Sequence, residues 1–363
     1  MSRVTVRVPG KLMLMGEYAV TQPGHPGIAT AIDRFLTCTV EPAAEFRLEF
    51  PTMGIAPLTG KDWDSLGERL KRVSRLELVS HTLALLGRYL GEAGYTPVPF
   101  RLLVSSQLQT ATGVKYGFGS SAAVTVALVA ALLRYAMDDP GPEATFKLAA
   151  AAHVSAQGHG SCADIAAVTY GGVVYYQRFD ADWLRLRLAH GSLHDLVTGR
   201  WPGLNIQRLP SGPGVLWRVG WTGQPVSTAE FLTRMVAFKE KSPDSFNRFL
   251  VESDRAVEAF VEATRGGNRE ALIASVRQNR SALLMLARDA GLPIETDPMR
   301  AALEAVERMG GAGKSSGSGG GDTLLAWISS DQTPMLRSEW RRHGIELIPA
   351  AVSGQGVDTA LKV

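Results

Sequence analysis

Three stretches of this sequence carry residues of the types and spacing that handle phosphorylated ligands. Lys115 to Ala123, KYGFGSSAA, sets a lysine, two glycines and two neighbouring hydroxyls directly ahead of the apolar run VTVALVAALL. The first N–H groups of a helix lack intrahelical partners and carry the positive end of its macrodipole, so an oligophosphate laid over Gly117 to Ala122 would be held largely by backbone. The Ser120-Ser121 pair also reads as an ordinary helix N-cap, which needs no ligand. Lys11, in PGKLMLMGEYAV, stands beside a Pro-Gly turn, with Glu17-Tyr18 after Gly16 at the next one. Lys314, in GGAGKSSGSGGGD, lies in the most glycine-dense part of the chain, where it is suitably placed to meet an anion. Asp164 follows Gly160 by four residues in GHGSCADIAA, with Ser161 as the expected N-cap of a short helix and Asp164 as its first-turn acid.

Two better-known phosphate signatures are excluded. GFGSSA matches the GxGxxA dinucleotide fingerprint, and acids follow at Asp138 and Asp139. That fingerprint needs its glycines in a tight turn straight after a strand, whereas the decapeptide SQLQTATGVK intervenes here. GKSS at Gly313 to Ser316 suggests a Walker A loop, but the position of its required first glycine is Arg308, within a helical pattern.

The elements that must position these residues alternate between α and β. VTVRV (Val4 to Val8) is a strand expected to end at Pro9-Gly10, which puts Lys11 just past it. Gly27 to Val40 reads as a strand with a polar break at Asp33-Arg34, and Phe46 to Phe50 as a short partner. Asp64 to Leu90 has apolar residues at helical spacing, as one helix or two. Pro97 to Ser105 is a strand, followed by helices from Ser120 to about Met137 and from Pro142 to about Ser155, and then by a strand at Val173 to Gln177. Asp180 to Pro213 is rich in glycine, proline and short charged runs and reads as a domain junction, giving domains over 1–185 and 186–363. Val215 to Trp221 is a strand, and Ser227 or Thr228 caps the next helix. Helical patterns fill Ala229 to Met309, with breaks near Ser242-Pro243, Gly266-Gly267 and Gly291 to Pro298. Gly310 to Asp322 reads as a second glycine loop, before the buried-type strand Thr323 to Ile328, a helix at Pro334 to Arg342 and a strand at Ile345 to Ile348.

The 363 residues suffice for two domains with a core in each. A hydrophobic content of 45% with 20% charged residues describes a globular chain, and a net charge of +3 without any basic block points to anionic small molecules and away from nucleic acid. Cys38 and Cys162 are far apart and lack metal-type spacing, so neither a disulfide framework nor a zinc site is expected. The N-terminus lacks a signal-peptide core and no apolar run is long enough to span a bilayer, so a cytoplasmic, membrane-independent protein is expected.

Taken together, PGKLMLMGEYAV, KYGFGSSAA and KSSGSGGGD resemble, in order and separation, the three motifs of the GHMP kinases, over nearly the whole chain. VGWTGQPVST, GSCADIAAVTYGG and RWPGLNIQRLP look much like the bacterial phosphomevalonate kinase branch. The resemblance implies an α+β fold of two domains, the first like ribosomal protein S5 domain 2 and the second ferredoxin-like, with the active site between them. It implies ATP and Mg²⁺ as cofactors and phosphomevalonate as acceptor. By motif, Gly117, Gly119, Ser120, Ser121 and Ala122 would wrap the ATP phosphates, with Ser121 reaching the metal. Lys11, Lys115 and Asp164 would be catalytic, and Ser161, Ser227, Thr228, Lys314, Ser316, Gly317 and Ser318 would hold the acceptor. The sequence departs from the family at Phe118, Ser318, His159 and Cys162. Mevalonate kinases also carry a Mg²⁺-binding glutamate on the helix before the aspartate, whereas AAAHVSAQGHG has no acid, which leaves the metal to hydroxyls, phosphates and water. Mevalonate kinase, diphosphomevalonate decarboxylase and a non-catalytic metabolite sensor are the alternatives within this resemblance.

Overall fold

The computed structural model describes residues 2–358 except 111, 138, 159, 211–216, 225 and 227, with the backbone alone at 228 and 229. Its first strand, β1 (Val4–Met15), does not end at Pro9-Gly10. It pairs antiparallel with β2 (Pro26–Pro42) from Val4 opposite Val40 to Met15 opposite Ile28. The Pro-Gly step is absorbed because Pro9 faces Phe35 while Gly10 faces Ile32, so the polar pair Asp33-Arg34 bulges out of the ladder. Lys11 therefore lies within a strand, opposite Ala31. The bulge has its own use: Asp33 exchanges hydrogen bonds with the backbone of Ala351, at 3.0 and 2.8 Å, and docks the returning C-terminal segment.

β3 (Phe46–Phe50) and β4 (Ile55–Gly60) form a hairpin-like edge, followed by α1 (Trp63–Lys71) and α2 (Glu77–Glu92). Then come β5 (Phe100–Ser106), α3 (Ser120–Ala136), α4 (Gly141–Gln157), α5 (Ala163–Tyr170) and β6 (Val173–Gln177). α3 is apolar all round, as a helix enclosed on every side must be, and nearly all its residues from Ala122 to Tyr135 are buried. It lies against β1, β2, α2, α4 and α5, so the N-terminus of this central helix is fixed by the core behind it.

Residues 180–210 of the segment expected to be a domain junction are structured and pack with the first sheet. α6 (Ala181–His190) is capped by Asp180, whose carboxylate accepts from the Asp182 and Trp183 N–H groups, and α7 (Leu193–Thr198) is capped by Ser192. Trp201 is buried against Phe179 and Trp183, and β7 (Asn205–Leu209) completes the sheet beside β6. The sheet order is β4-β3-β5-β2-β6-β7, with β1 also on β2. A boundary at 185 would cut α6. Composition misled here because these helices are short and their polar caps and turn residues outnumber the few apolar anchors.

β8 (Trp217–Trp221), α8 (Thr228–Lys241), α9 (Pro243–Arg265), α10 (Arg269–Ala290) and α11 (Asp297–Arg308) open the second body. β9 (Ala312–Ser316), β10 (Thr323–Trp327), α12 (Thr333–Arg342) and β11 (Glu346–Ile348) close it. The antiparallel order β11-β8-β10-β9 is the ferredoxin-like arrangement. The second glycine loop is thus shorter than expected, because AGKSS is a fully buried strand. Its glycines serve packing: a Cβ on Gly313 would come within 2.8 Å of both the Leu303 side chain and the Leu325 carbonyl.

Gly171 joins α5 to β6 with φ +70°, and a Cβ there would lie 2.2 Å from the Gly356 nitrogen in the docked C-terminal segment. Gly171→Ala must strain or displace backbone on both sides, and a loss of about 2–4 kcal/mol in urea unfolding is expected. Unchanged stability would mean that the 353–357 segment does not hold this position in solution.

Candidate active site

A cavity of about 590 Å³ opens where the two bodies meet. The first body supplies β1, the turn after it, the glycine loop before α3, the C-terminal turn of α4 and the start of α5. The second supplies the segment between β8 and α8 and the turn between β9 and β10. Lys11, Lys115, Gly117, Gly119, Ser120, Ser121, Ser161, Asp164, Gly317 and Ser318, drawn from segments far apart in sequence, all line it.

At the glycine loop the serines do not cap the helix. The N-cap of α3 is Gly119, at φ +75° and without a side-chain cap, so neither serine hydroxyl is used to close the helix. The first helical bond runs from the Ala123 N–H to the Gly119 carbonyl at 3.0 Å, leaving the N–H groups of residues 120–122 ahead of the ladder. Ala122 contributes no side chain to the cavity and is buried in the core. Lys11 is built against the same loop. Its N–H donates to the Phe118 carbonyl at 2.9 Å, and a Cβ on Gly119 would sit 2.7 Å from the lysine Cγ and Cε. Gly119 is therefore needed twice, for a left-handed backbone and for the lysine stem.

Backbone hydrogen bonds on either side of residue 111 hold the stretch that presents Lys115. The Thr110 N–H donates to the Val114 carbonyl at 2.8 Å, the Gly113 N–H to Thr110 at 2.9 Å, and Gln109 bridges Lys115. Next to it the Tyr116 ring stacks on Phe118 and meets Trp221 of the second body edge-on, with centroids 5.0 Å apart. Asp322 is the residue that sequence reasoning missed here. It lies against Gly117, whose Cβ would be 2.8 Å from its own, and its carboxylate accepts from the Val226 N–H. Burial raises its pKa, and the fields of Lys11 and Lys115 oppose that rise. An acid ending a run of glycines was the available signal.

Asp164 occupies the first turn of α5, but the cap of that helix is Cys162, in the left-handed region at φ +65°, and not Ser161. Ser161 instead accepts from the Ala163 N–H at 3.2 Å, while its carbonyl receives the Tyr176 hydroxyl. Tyr18, Cys162 and Asp322 are the non-glycine residues at positive φ among the described residues, and all three are in or beside this cavity. Backbone strain of about 1–3 kcal/mol apiece persists only where the surroundings enforce it, and it concentrates at functional sites.

Two expected acceptor contacts are placed otherwise. Lys314 is fully buried in β9 and ion-paired with Glu17, so it does not meet a ligand. Burial lowers its pKa, against the pull of Glu17. The Ser316 hydroxyl accepts from the Met13 N–H at 3.1 Å and donates to the Met13 carbonyl at 3.0 Å, stitching β9 to β1. Ser227 lies outside the described residues, as does the Thr228 side chain, although neighbouring Val226 lines the cavity. His159 also lies outside them. The Gly16 N–H donates to Asn279 of α10, and the Tyr18 hydroxyl to the Ser318 carbonyl, so Glu17-Tyr18 belongs to the seam between the bodies.

Among the described residues no cluster of three or more His, Cys, Asp or Glu can cage a metal, and no helix is long and apolar enough to cross a membrane. The serine hydroxyls and the Asp164 and Asp322 carboxylates are an all-oxygen donor set, which suits a hard divalent cation that takes its remaining ligands from phosphate and water.

Sequence and fold both match known proteins. The family model for the GHMP kinases N terminal domain matches residues 77–172, and that for the GHMP kinases C terminal domain matches residues 256–346. The phosphomevalonate kinase of Streptomyces sp. (strain CL190) is 32% identical over 98% of this chain and 99% of its own. A Lin0012 protein from Listeria innocua superposes with a TM-score of 0.92 at 34% identity, covering 99% of this chain and 100% of that one. Streptococcus pneumoniae phosphomevalonate kinase, solved in complex with phosphomevalonate and AMPPNP, superposes at 0.84 with 26% identity, covering 96% and 99%.

The buried pair supplies a test of the seam. Lys314→Met leaves the Glu17 carboxylate buried without its cation and should cost about 3–5 kcal/mol in denaturant unfolding. Adding Glu17→Gln to the same chain should recover much of that loss. Equal instability of the single and double variants would show that the pair does not hold the two bodies together.

Proposed function

The chain belongs to the GHMP kinase family, and on that premise we propose that it transfers the γ-phosphoryl group of ATP to (R)-5-phosphomevalonate, giving (R)-5-diphosphomevalonate and ADP. The observation that carries the reading is the convergence of Lys11, Lys115, the uncapped start of α3 and Asp164 on one cavity between the bodies. A relative of that activity, alike over nearly the full length of both chains, supports the choice of acceptor.

The chemistry sets the division of labour. A phosphate monoester has a second pKa near 6, so at neutral pH the acceptor is already mostly a dianion and needs no general base. The obstacle is repulsion: two unit charges about 4 Å apart cost ~1 kcal/mol in water but ~4 kcal/mol at the effective dielectric of a partly enclosed site, and each phosphate carries more than one charge. Neutralisation and positioning are therefore the work to be done. The N–H groups of residues 120–122 and the loop at Gly117 to Gly119 hold the donor phosphates. Lys11, with its stem fixed on Gly119 and its backbone on Phe118, sits between donor and acceptor, and Lys115 takes the outer charge. Asp164, on the same cavity, orients Lys11 or a metal-bound water and does not abstract a proton. Ser121 and the nearby carboxylates would hold Mg²⁺, which when bound supplies further neutralisation of phosphate oxygens. Ser161, Gly317 and Ser318 bound the acceptor.

Incubation with ATP and each of mevalonate, its 5-phosphate and its 5-diphosphate, followed by coupled detection of ADP, should give turnover with the monophosphate. Turnover with mevalonate, or release of carbon dioxide from the diphosphate, would replace this reading. With the monophosphate, Lys11→Met should lower kcat by roughly a hundredfold or more with a smaller change in KM. Near-normal turnover in that variant would remove Lys11 from its role.

A further inference from the structure

His153 belongs to α4, in the otherwise apolar stretch LAAAAHVSA, and is only 5% exposed, yet it lines the cavity. Its Nδ1 is buried and has no hydrogen-bond partner among the described residues. The other edge of the ring faces Gly160: a Cβ built there would lie 3.6 Å from Nε2 and 3.9 Å from Cδ2. Gly160 also lines the cavity, and its missing side chain leaves the imidazole edge uncovered. A buried polar side chain with no protein partner is costly unless something else completes it. With Nδ1 unpartnered, the polar contact left to this ring is through Nε2, the atom on the Gly160 side.

The surroundings of His153 differ from those of the glycine loop. Gln157, one turn further along α4, also lines the cavity, as does Ser161. Gln157 and Ser161 are neutral donors, with Asp164 and Glu77 as the carboxylates elsewhere in the lining, while Lys11 and Lys115 gather with Asp322 at the glycine loop. The acceptor is likewise unequal at its ends, with a reacting phosphate at one and a carboxylate beside a tertiary hydroxyl at the other. Resting on the acceptor class proposed above, we infer that His153 Nε2–H is a hydrogen-bond donor to the non-reacting, carboxylate-bearing end of the acceptor. It is a binding residue, absent from the sequence reading, and its contact is the same in ground and transition states.

The test is steady-state kinetics on the full-length enzyme with ATP and 5-phosphomevalonate. His153→Ala should raise KM for 5-phosphomevalonate roughly ten- to a hundredfold, the range of a hydrogen bond to a charged group, with kcat and KM for ATP within a few-fold of wild type. His153→Gln, whose amide nitrogen reaches the place of Nε2, should restore most of the loss, whereas His153→Asn, which mimics Nδ1, should not. Thermal melting gives a second readout that does not need turnover: stabilisation by 5-phosphomevalonate should fall in the alanine variant, and stabilisation by a non-hydrolysable ATP analogue should persist. Unchanged KM, a fall in kcat at saturating acceptor, a rise confined to ATP, or equal rescue by Asn and Gln would each overturn the assignment. If the wild type itself neither turns over 5-phosphomevalonate nor is stabilised by it, the functional reading falls and takes this inference with it; normal wild-type behaviour with normal His153 variants sinks the inference alone.

Discussion

A site for two phosphorylated molecules has to press like charges together, and this chain meets the demand by making its cleft from two bodies locked along one seam. The lock is polar and buried: Ser316 clasps both backbone groups of Met13, Asn279 receives the Gly16 N–H, and Lys314 pairs with Glu17 in the interior. Such contacts contribute little net attraction compared with apolar packing of the same area, because each charge was well solvated in water. Their value is register. An apolar seam tolerates sliding, whereas a serine that both donates to and accepts from one residue fixes β9 against β1 in a single place. Lys11 lies two residues before Met13, so the seam that joins the bodies also sets where the lysine amine can reach.

The remainder of the site follows from that fixed strand. Lys11 lies along Gly119, Gly119 opens α3, and α3 is held by the core on all sides, so the cation and the helix N-terminus cannot shift independently. Asp322 adds a counter-charge from the second body, lying against Gly117 while its backbone pairs with Thr222 and Gln224. Thr222 and Gln224, after β8, are tied in this way to the glycine loop before α3. Tyr18, Cys162 and Asp322 accept left-handed backbone to reach these places, and the packing around them maintains it.

Much of this was legible in the sequence because it depends on local chemistry. The apolar run after Ser121 required a helix, and the run VVYYQ after Gly171-Gly172 located β6 to the residue. The failures share a cause: each turned on a partner remote in sequence. Gly-Ala-Gly-Lys-Ser-Ser reads as a loop until β10 and Leu303 are beside it, when its small residues become the only ones that fit a crowded strand. Pro9-Gly10 reads as a strand end unless the bulge at Asp33-Arg34 is known to face it. Lys314 and Ser316 match the family motif and still serve the seam, while His153 and Asp322 looked ordinary and proved to line the cavity. Residues of the three motifs line one cavity, and tertiary contacts decide which of their side chains face it.

The proposed reaction requires donor and acceptor phosphates to meet at the amine of Lys11. A crystal structure of the ternary complex with a non-hydrolysable ATP analogue and 5-phosphomevalonate measures it directly. The account predicts the Lys11 Nζ within hydrogen-bonding distance of oxygens from both the γ-phosphate and the acceptor phosphate, with the nucleotide phosphates on the N–H groups of residues 120–122. An acceptor bound away from Lys11, or a nucleotide whose phosphates leave the start of α3 untouched, would contradict it.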